Sequence, residues 1–202
     1  MIQRRHLPLL AGALLPGTGR AQTAGASFAV IRNGDMQVGT HTLRVTAQGG
    51  TKTVESDFSA APRLMGIVVY RYEHRYTEVT EGGRFRSVTS RLNRNGRIVE
   101  VSGEAVPGAV VVRGPQGEVR LAADAAPLSW WEPQRFGRVP VFGTTTGQLL
   151  RVTFERAQEA GGVIHWRCRG EIEADLRYDA AGNWIGFDTI GDDGSRITYR
   201  RT

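Results

Sequence analysis

The sequence predicts an all-β protein: a large curved antiparallel meander sheet, half-barrel or barrel, after an N-terminal signal peptide. Three observations carry this. Apolar residues recur with period two along most of the chain, and helical periodicity is nearly absent. Short clusters of Gly, Asn, Asp and Pro punctuate those runs. The resulting dozen or so strands, with mostly short connections, are more than one sheet usually holds flat. A chain of 202 residues has room for one domain with its own core. No internal repeat or boundary divides residues 22–202.

The elements follow in order. SFAVIRN (27–33) leads into the turn NGD, and MQVGTHTLRVTAQ (36–48) leads through GGT into KTVESDFSA (52–60). A long strand is expected from Ile67 to about Val79, closed by EGGR (81–84). FRSVTSRLN (85–93) pairs with RIVEVSGEA (97–105) across RNG, because Asn95 and Gly96 both accept positive φ. AVVVRG and EVRLAA form a short pair across PQG. Residues 123–147, ADAAPLSWWEPQRFGRVPVFGTTTG, are the least regular part. QLLRVTFERA, GVIHWRCRGEIEADLRY, NWIGFDTI and RITYRR then read as strands, separated by EAGG, DAAGN and GDDGS.

The N-terminus reads as an export leader, residues 1–21. Arg4 and Arg5 precede the apolar run LPLLAGALLP, and small residues surround Ala21, the preferred cleavage point; Ala26 is the second choice. Pro8, Gly12, Pro16, Gly17 and Gly19 oppose a buried helix there. The paired arginines also suggest the twin-arginine route, but no Ser or Thr precedes them, so the general secretory route is favoured. The expected location is the periplasm. Nothing after the leader approaches the roughly 18 apolar residues of a transmembrane segment.

The whole chain carries +6; the leader holds three arginines and no acid, leaving +3 for residues 22–202. The basic residues are scattered, and Lys52 is the sole lysine. That pattern is a solvated surface with at most a weak attraction for anionic lipid, not a nucleic-acid stripe. With one cysteine, Cys168, no internal disulfide can form.

The first candidate site lies in GIVVYRYEHRYTE (66–78). Tyr70, Tyr72, His74 and Tyr76 share one strand face, and Arg71, Glu73, Arg75 and Thr77 share the other. A dry core would take Val, Leu or Phe there. Rings with polar tips suit the wall of a partly wet pocket, or a sheet face whose hydroxyls reach solvent. The second candidate is LSWWEPQRFG. Trp130 and Trp131 are adjacent, so in extended chain they point to opposite sides. Aromatics on such an irregular segment suit a lid or plug over a cavity, or a loop pinned by one indole.

Other chemistries find little support. His165 and Cys168 fall on opposite strand faces, and a zinc site would need ligands converging from separate strands. DDGS and DAAGN lack EF-hand spacing and read as hairpin turns. There is no Gly-x-Ser-x-Gly elbow; Ser87, Ser90 and Ser129 are the hydroxyls nearest the aromatic segments, with His74 as the histidine of the long strand. Glu73 and Glu78 fail the same-face test for paired carboxylates. No phosphate-binding loop and no cofactor site is read.

The ordered landmarks NGDMQVGTHTLRV, GIVVYRYEHRYTEVTEGGRF, SRLNRNG, SWW with TTTGQL, and RYDAAGNWIGFDTIGDDGSRITYR resemble an uncharacterised family of exported proteobacterial proteins, domain of unknown function 6134. The resemblance spans about residues 27–201. It implies an all-β exported domain and no established activity. Such relatives are expected to carry Asn after the tryptophan of the SW segment, where this chain has Trp131 and Glu132. The closing segment also resembles a single YD repeat, read here as a hairpin, and the strand-rich layout resembles the half-barrel lipid carriers of the periplasm. The resulting expectation is a non-catalytic β domain. A concave face with Tyr70, Tyr72, His74 and Tyr76, covered by Trp130 or Trp131, would bind a lipid-like or other hydrophobic small molecule. The alternatives are an envelope scaffold with a protein partner and, last, a serine hydrolase built on His74.

Overall fold

The computed structural model describes residues 22–202; the leader expected over residues 1–21 lies outside them. The first ten strands are β1 (Gln22–Arg32), β2 (Met36–Gln48), β3 (Thr51–Ala60), β4 (Arg63–Leu64), β5 (Ile67–Val68), β6 (Tyr72–Glu81), β7 (Arg84–Arg94), β8 (Arg97–Val106), β9 (Ala109–Gly114) and β10 (Gly117–Leu121). After them come β11 (Ala126–Pro127), β12 (Val141–Phe142), β13 (Val152–Gln158), β14 (Ile164–Gly170), β15 (Ala174–Tyr178), β16 (Trp184–Ile190) and β17 (Arg196–Arg201). The only helical pieces among the described residues are two 3-10 turns, Pro133–Arg135 and Ala160–Gly162. No helix among them is long and apolar enough to cross a membrane.

Thirteen strands form one antiparallel sheet in the order β10-β9-β8-β7-β6-β3-β2-β1-β17-β16-β15-β14-β13. It consists of two meanders joined where β1 pairs with β17, so the described ends of the chain meet in mid-sheet. The sheet is curved but not closed; β10 and β13 are its two edges. Arg94 at the end of β7 contacts Asp192 in the turn between β16 and β17 at 2.5 Å, and the nearer of those strands, β17, is five positions away in the sheet order. Flat strands would hold these elements roughly 25 Å apart, so the contact requires strong curvature.

The connection between the two edges, residues 122–151, runs through the inside of that curve. It pairs β11 with β12 in parallel. It supplies Leu128, Phe136 and Val141 to one buried cluster, and Ala125, Ala126 and Phe142 to the other. Phe142 is fully buried, edge-on to Phe85 at 5.8 Å. It lies over Gly103, where an added Cβ would come within 3.1 Å of its ring. The irregular segment is therefore the filling of the half-barrel. Its Pro and Gly content suits a chain that packs by side chains rather than by a ladder.

Buried polar contacts anchor this filling. Glu78 on β6 is fully buried; Ser129 Oγ donates to it at 2.6 Å and Arg135 Nη1 at 2.5 Å. Tyr178 on β15 donates its hydroxyl to the Trp130 carbonyl at 2.5 Å, tying the same segment to the opposite meander.

Two stretches expected as single strands are divided. The run from Ile67 to Val79 breaks at residues 69–71. β5 folds back on β4 around Met65 and Gly66, both with positive φ, and the long strand begins only at Tyr72. GVIHWRCRGEIEADLRY turns at Gly170, whose φ of 122° favours glycine, and forms the β14–β15 hairpin. In both places the turn residues lie inside apolar alternation, so period-two reading passes over them. The Asn95–Gly96 turn is as expected, with φ of 52° and 88°. Replacing Gly96 with Ala is expected to cost about 1 kcal/mol, measured by urea unfolding.

Candidate ligand cavity

The inner face of β1, β2, β3, β6 and β7 is organised in rows set by strand register. One row runs Phe28, His41, Phe58, His74 and Leu92; the next runs Leu43, Ser56, Tyr76, Ser90 and Val101. Each histidine reaches diagonally into the second row. His41 Nε2 lies 2.8 Å from Ser56 Oγ, and His74 Nε2 lies 2.9 Å from Ser90 Oγ. Tyr199 on β17 faces Val30 in register and packs at 4.7 Å against Phe187.

Between this wall and the inner segment lies a cavity of about 610 Å³, a size ordinary for small-molecule sites. His41, Phe58, Tyr72, His74, Tyr76 and Tyr199 line it on the sheet side, and Leu128, Trp130 and Leu150 on the other. At one end Tyr70, Arg94, Arg32, Asp192 and Asp193 form its mouth. Arg32 and Asp193 pair at 2.6 Å, and Arg94 and Asp192 at 2.5 Å, so both mouth arginines sit against carboxylates.

The interior is polar-tipped but uncharged at neutral pH. Burial lowers both His41 and His74 to about 4, with mutual repulsion adding to the effect at His41. Burial likewise pushes Tyr72 up to about 12, helped by Tyr70. Burial and the nearby Glu78 carboxylate push Tyr76 up to about 12. Tyr199 is raised further in the same direction, mainly by burial. Such a lining offers hydroxyls and imidazoles as hydrogen-bond partners without a fixed charge.

Tyr72, His74 and Tyr76 stand together on β6 and line the cavity, whereas Tyr70 lies before the strand, at the mouth, its ring stacked at 6.4 Å from Tyr72. The two adjacent tryptophans separate as extended chain requires. Trp130 faces the cavity and packs against Phe187 at 5.5 Å. Trp131 points away, between Lys52 and Arg135, whose cationic groups lie 4.7 and 5.7 Å from its ring centroid. It does not line the cavity. His41, Phe58, Phe187 and Tyr199 also line the cavity, beyond the residues that the sequence singles out. The period-two pattern marks each as inward, but only pairing across strands shows that they meet the β6 row.

His165 and Cys168 point to opposite faces of β14. Cys168 joins the core, and burial pushes its thiol up to about 11. His165 sits between Glu159 at 3.1 Å and Asp175 at 3.0 Å. Asp179 caps Ala181 and Asn183, and Asp193 caps Ser195, as turn residues do. No group of three or more His, Cys, Asp or Glu able to hold a metal ion occurs among the described residues.

No curated protein matches this chain. Among solved structures, a β-barrel-like protein of domain of unknown function DUF1849 from Brucella abortus is similar in fold. Its TM-score is 0.58 at 8% identity, over 88% of this chain and 95% of that one. Residues 28–202 match the model described as Domain of unknown function (DUF6134). The match covers nearly all of the described sheet, the inner segment and the cavity wall, and the chain belongs to that family.

Proposed function

We propose that this is an exported, non-catalytic periplasmic protein that holds a hydrophobic or amphipathic small molecule inside its half-barrel. The observation that carries the reading is the aromatic-walled cavity of about 610 Å³, whose charged groups are confined to paired residues at the mouth and whose inner histidines are held neutral by burial. Apolar burial at roughly 25 cal/mol per Å² drives entry, and hydroxyl and imidazole tips orient the ligand. Export rests on the leader features of residues 1–21. A mature chain starting at Gln22 keeps the whole of β1, whose first residue pairs with Ala47.

Native mass spectrometry of protein purified from the periplasm, followed by denaturing mass, tests this. The expected result is a native excess of a few hundred daltons, released by organic solvent and lost in Tyr72→Ala and Trp130→Ala. A bare native mass would shift the function to an envelope partner, with the free edges β10 and β13 as the surfaces to examine.

A hydrolase reading has one observation in its favour, the 2.9 Å contact of His74 Nε2 with Ser90 Oγ. The same arrangement recurs at His41 and Ser56, which suits a structural repeat of the register better than a reaction centre. A base near 4 is far from the operating pH that general-base catalysis favours. The acid on the same face of β6, Glu78, is committed to Ser129 and Arg135. A serine-reactive fluorophosphonate is accordingly expected to leave the protein unlabelled; labelling lost in His74→Ala would overturn the non-catalytic reading.

A further inference from the structure

The cavity mouth opens at the end of the half-barrel formed by the β1–β2, β7–β8 and β16–β17 turns and the residue 61–71 connection. Backbone contacts tie these turns together: Asn33 N–H donates to the Arg196 carbonyl, and Asn95 N–H to the Arg71 carbonyl. Six of the seven large hydrophobic side chains exposed among the described residues lie at this end: Met36, Met65, Ile67, Val69, Ile98 and Ile190. Three of them, Met65, Ile67 and Val69, belong to the β4–β5 hairpin and the residue directly after it. Met65 is 96% exposed and Ile67 70%.

The turn of that hairpin is unusual in its chemistry. Among the described residues, three that are not glycine have positive φ: Asn33, Met65 and Asn95, each followed by a glycine. Asparagine tolerates this conformation, and a long side chain such as methionine does so at a cost. Neither conformational preference nor burial therefore accounts for Met65. An apolar side chain held at the tip of a projection, in a costly conformation and in full contact with water, is expected where that tip enters an apolar phase.

The charge around the hairpin identifies the phase. Residues 61–71 carry Arg63 and Arg71 and no carboxylate, and Arg71 faces the Glu73 carboxylate of β6 at 4.0 Å, an exposed and easily screened pair. Arg63 donates to the Gly66 carbonyl at 3.0 Å, so its side chain lies along the hairpin itself. Exposed Arg97 follows directly on the Asn95–Gly96 turn that contacts Arg71. Apolar tips flanked by arginines match an anionic bilayer, with side chains in the acyl boundary and guanidinium groups among the phosphates. Pro62, Val69 and Tyr70 also line the cavity, so the hairpin base is continuous with the mouth.

We propose that the β4–β5 hairpin docks this protein on anionic lipid surfaces and so places the cavity mouth against the membrane. The proposal goes beyond ligand binding. It rests on that reading only for what would pass through the mouth.

Flotation with vesicles tests it directly. The full mature chain is expected to float with phosphatidylethanolamine–phosphatidylglycerol vesicles and much less with phosphatidylcholine alone. Met65→Asp with Ile67→Asp is expected to lower the partition coefficient at least tenfold on the order expected for apolar anchors. Arg63→Glu with Arg71→Glu is expected to do the same on the anionic vesicles, and raised salt to mimic it. All four side chains are on the exposed hairpin or its flank, so far-UV circular dichroism and the thermal midpoint are expected to match wild type. No flotation of wild type overturns the proposal, as does flotation of either variant equal to wild type. Native mass of the same samples separates the two readings. A bare cavity with hairpin-dependent flotation refutes ligand holding but keeps docking; an occupied cavity without flotation does the reverse.

Discussion

Replacing Arg135 with methionine is expected to lower the unfolding free energy by about 3–5 kcal/mol, the usual cost of leaving a buried charge without its partner. Glu78 has no exposed surface, and Arg135 is 10% exposed. Their 2.5 Å contact joins β6 to the inner segment, whose only other direct hold on the carboxylate is Ser129. In a domain of this size each kcal/mol moves the thermal midpoint by about 2–4 °C, so a loss of 10 °C or so is expected. The dependence on pH identifies the cause. Burial raises the Glu78 carboxyl above its ordinary range, and Arg135 and Ser129 work against that rise. Without the guanidinium the rise is larger. The folded form then holds a proton that the unfolded form has already lost, and stability falls as pH rises through that interval. The deficit of Arg135→Met is thus expected to be greater at pH 8 than at pH 5 in urea unfolding. Glu78→Leu combined with Arg135→Met is expected to recover most of it, because a buried ion pair contributes little net against an apolar replacement. Equal deficits at both pH values would rule out the carboxylate as the source.

This contact also shows where sequence reading stops. The sheet was legible because each strand advertises its two faces locally: Tyr72, His74 and Tyr76 alternate with Glu73, Arg75 and Thr77 whatever lies beside them. The turns at Asn33–Gly34 and Asn95–Gly96 were legible because positive φ restricts residue choice. Glu78 and Arg135 carry no such local mark. They are 57 residues apart, and their partnership depends on the inner segment crossing the sheet, which no periodicity records. The cavity was half legible for the same reason. The β6 row stood out by composition, whereas His41, Phe58 and Tyr199 join it only through the register of β2, β3 and β17. The charged outer face of β6 posed no difficulty: Arg75 meets Asp57 at 2.9 Å on the neighbouring strand, an ordinary solvated pair.

Acidification is expected to destabilise the protein steeply between about pH 6.5 and pH 4, through two inward histidines. His41 sits among Phe28, Phe58, Trp184 and Tyr199, with ring centroids 5.4 to 6.4 Å away, and Ser56 as its hydrogen-bond partner. His74 sits beside Tyr76 with Ser90 as partner. Neither has a carboxylate within 4 Å among the described residues; Glu78 is turned to Arg135, and Asp192 and Asp193 are held at the mouth by arginines. Their folded values near 4 lie below the ordinary 6.5. Between those limits the unfolded chain takes up protons that the folded chain refuses, so stability falls as pH falls. A shift of that size corresponds to at most about 3 kcal/mol at His41, which is buried, and to less at His74, which is partly exposed. His41→Phe keeps an aromatic ring in the cluster and removes one of the two titrations. At pH 7 it leaves Ser56 without its partner, a cost of about 1 kcal/mol. At pH 4.5 it escapes a larger penalty. The stability curves of His41→Phe and wild type are therefore expected to cross between those values, with the variant the more stable on the acid side. Curves that stay parallel would mean that His41 is not titrating within the fold, and the neutral cavity wall would lose its physical basis.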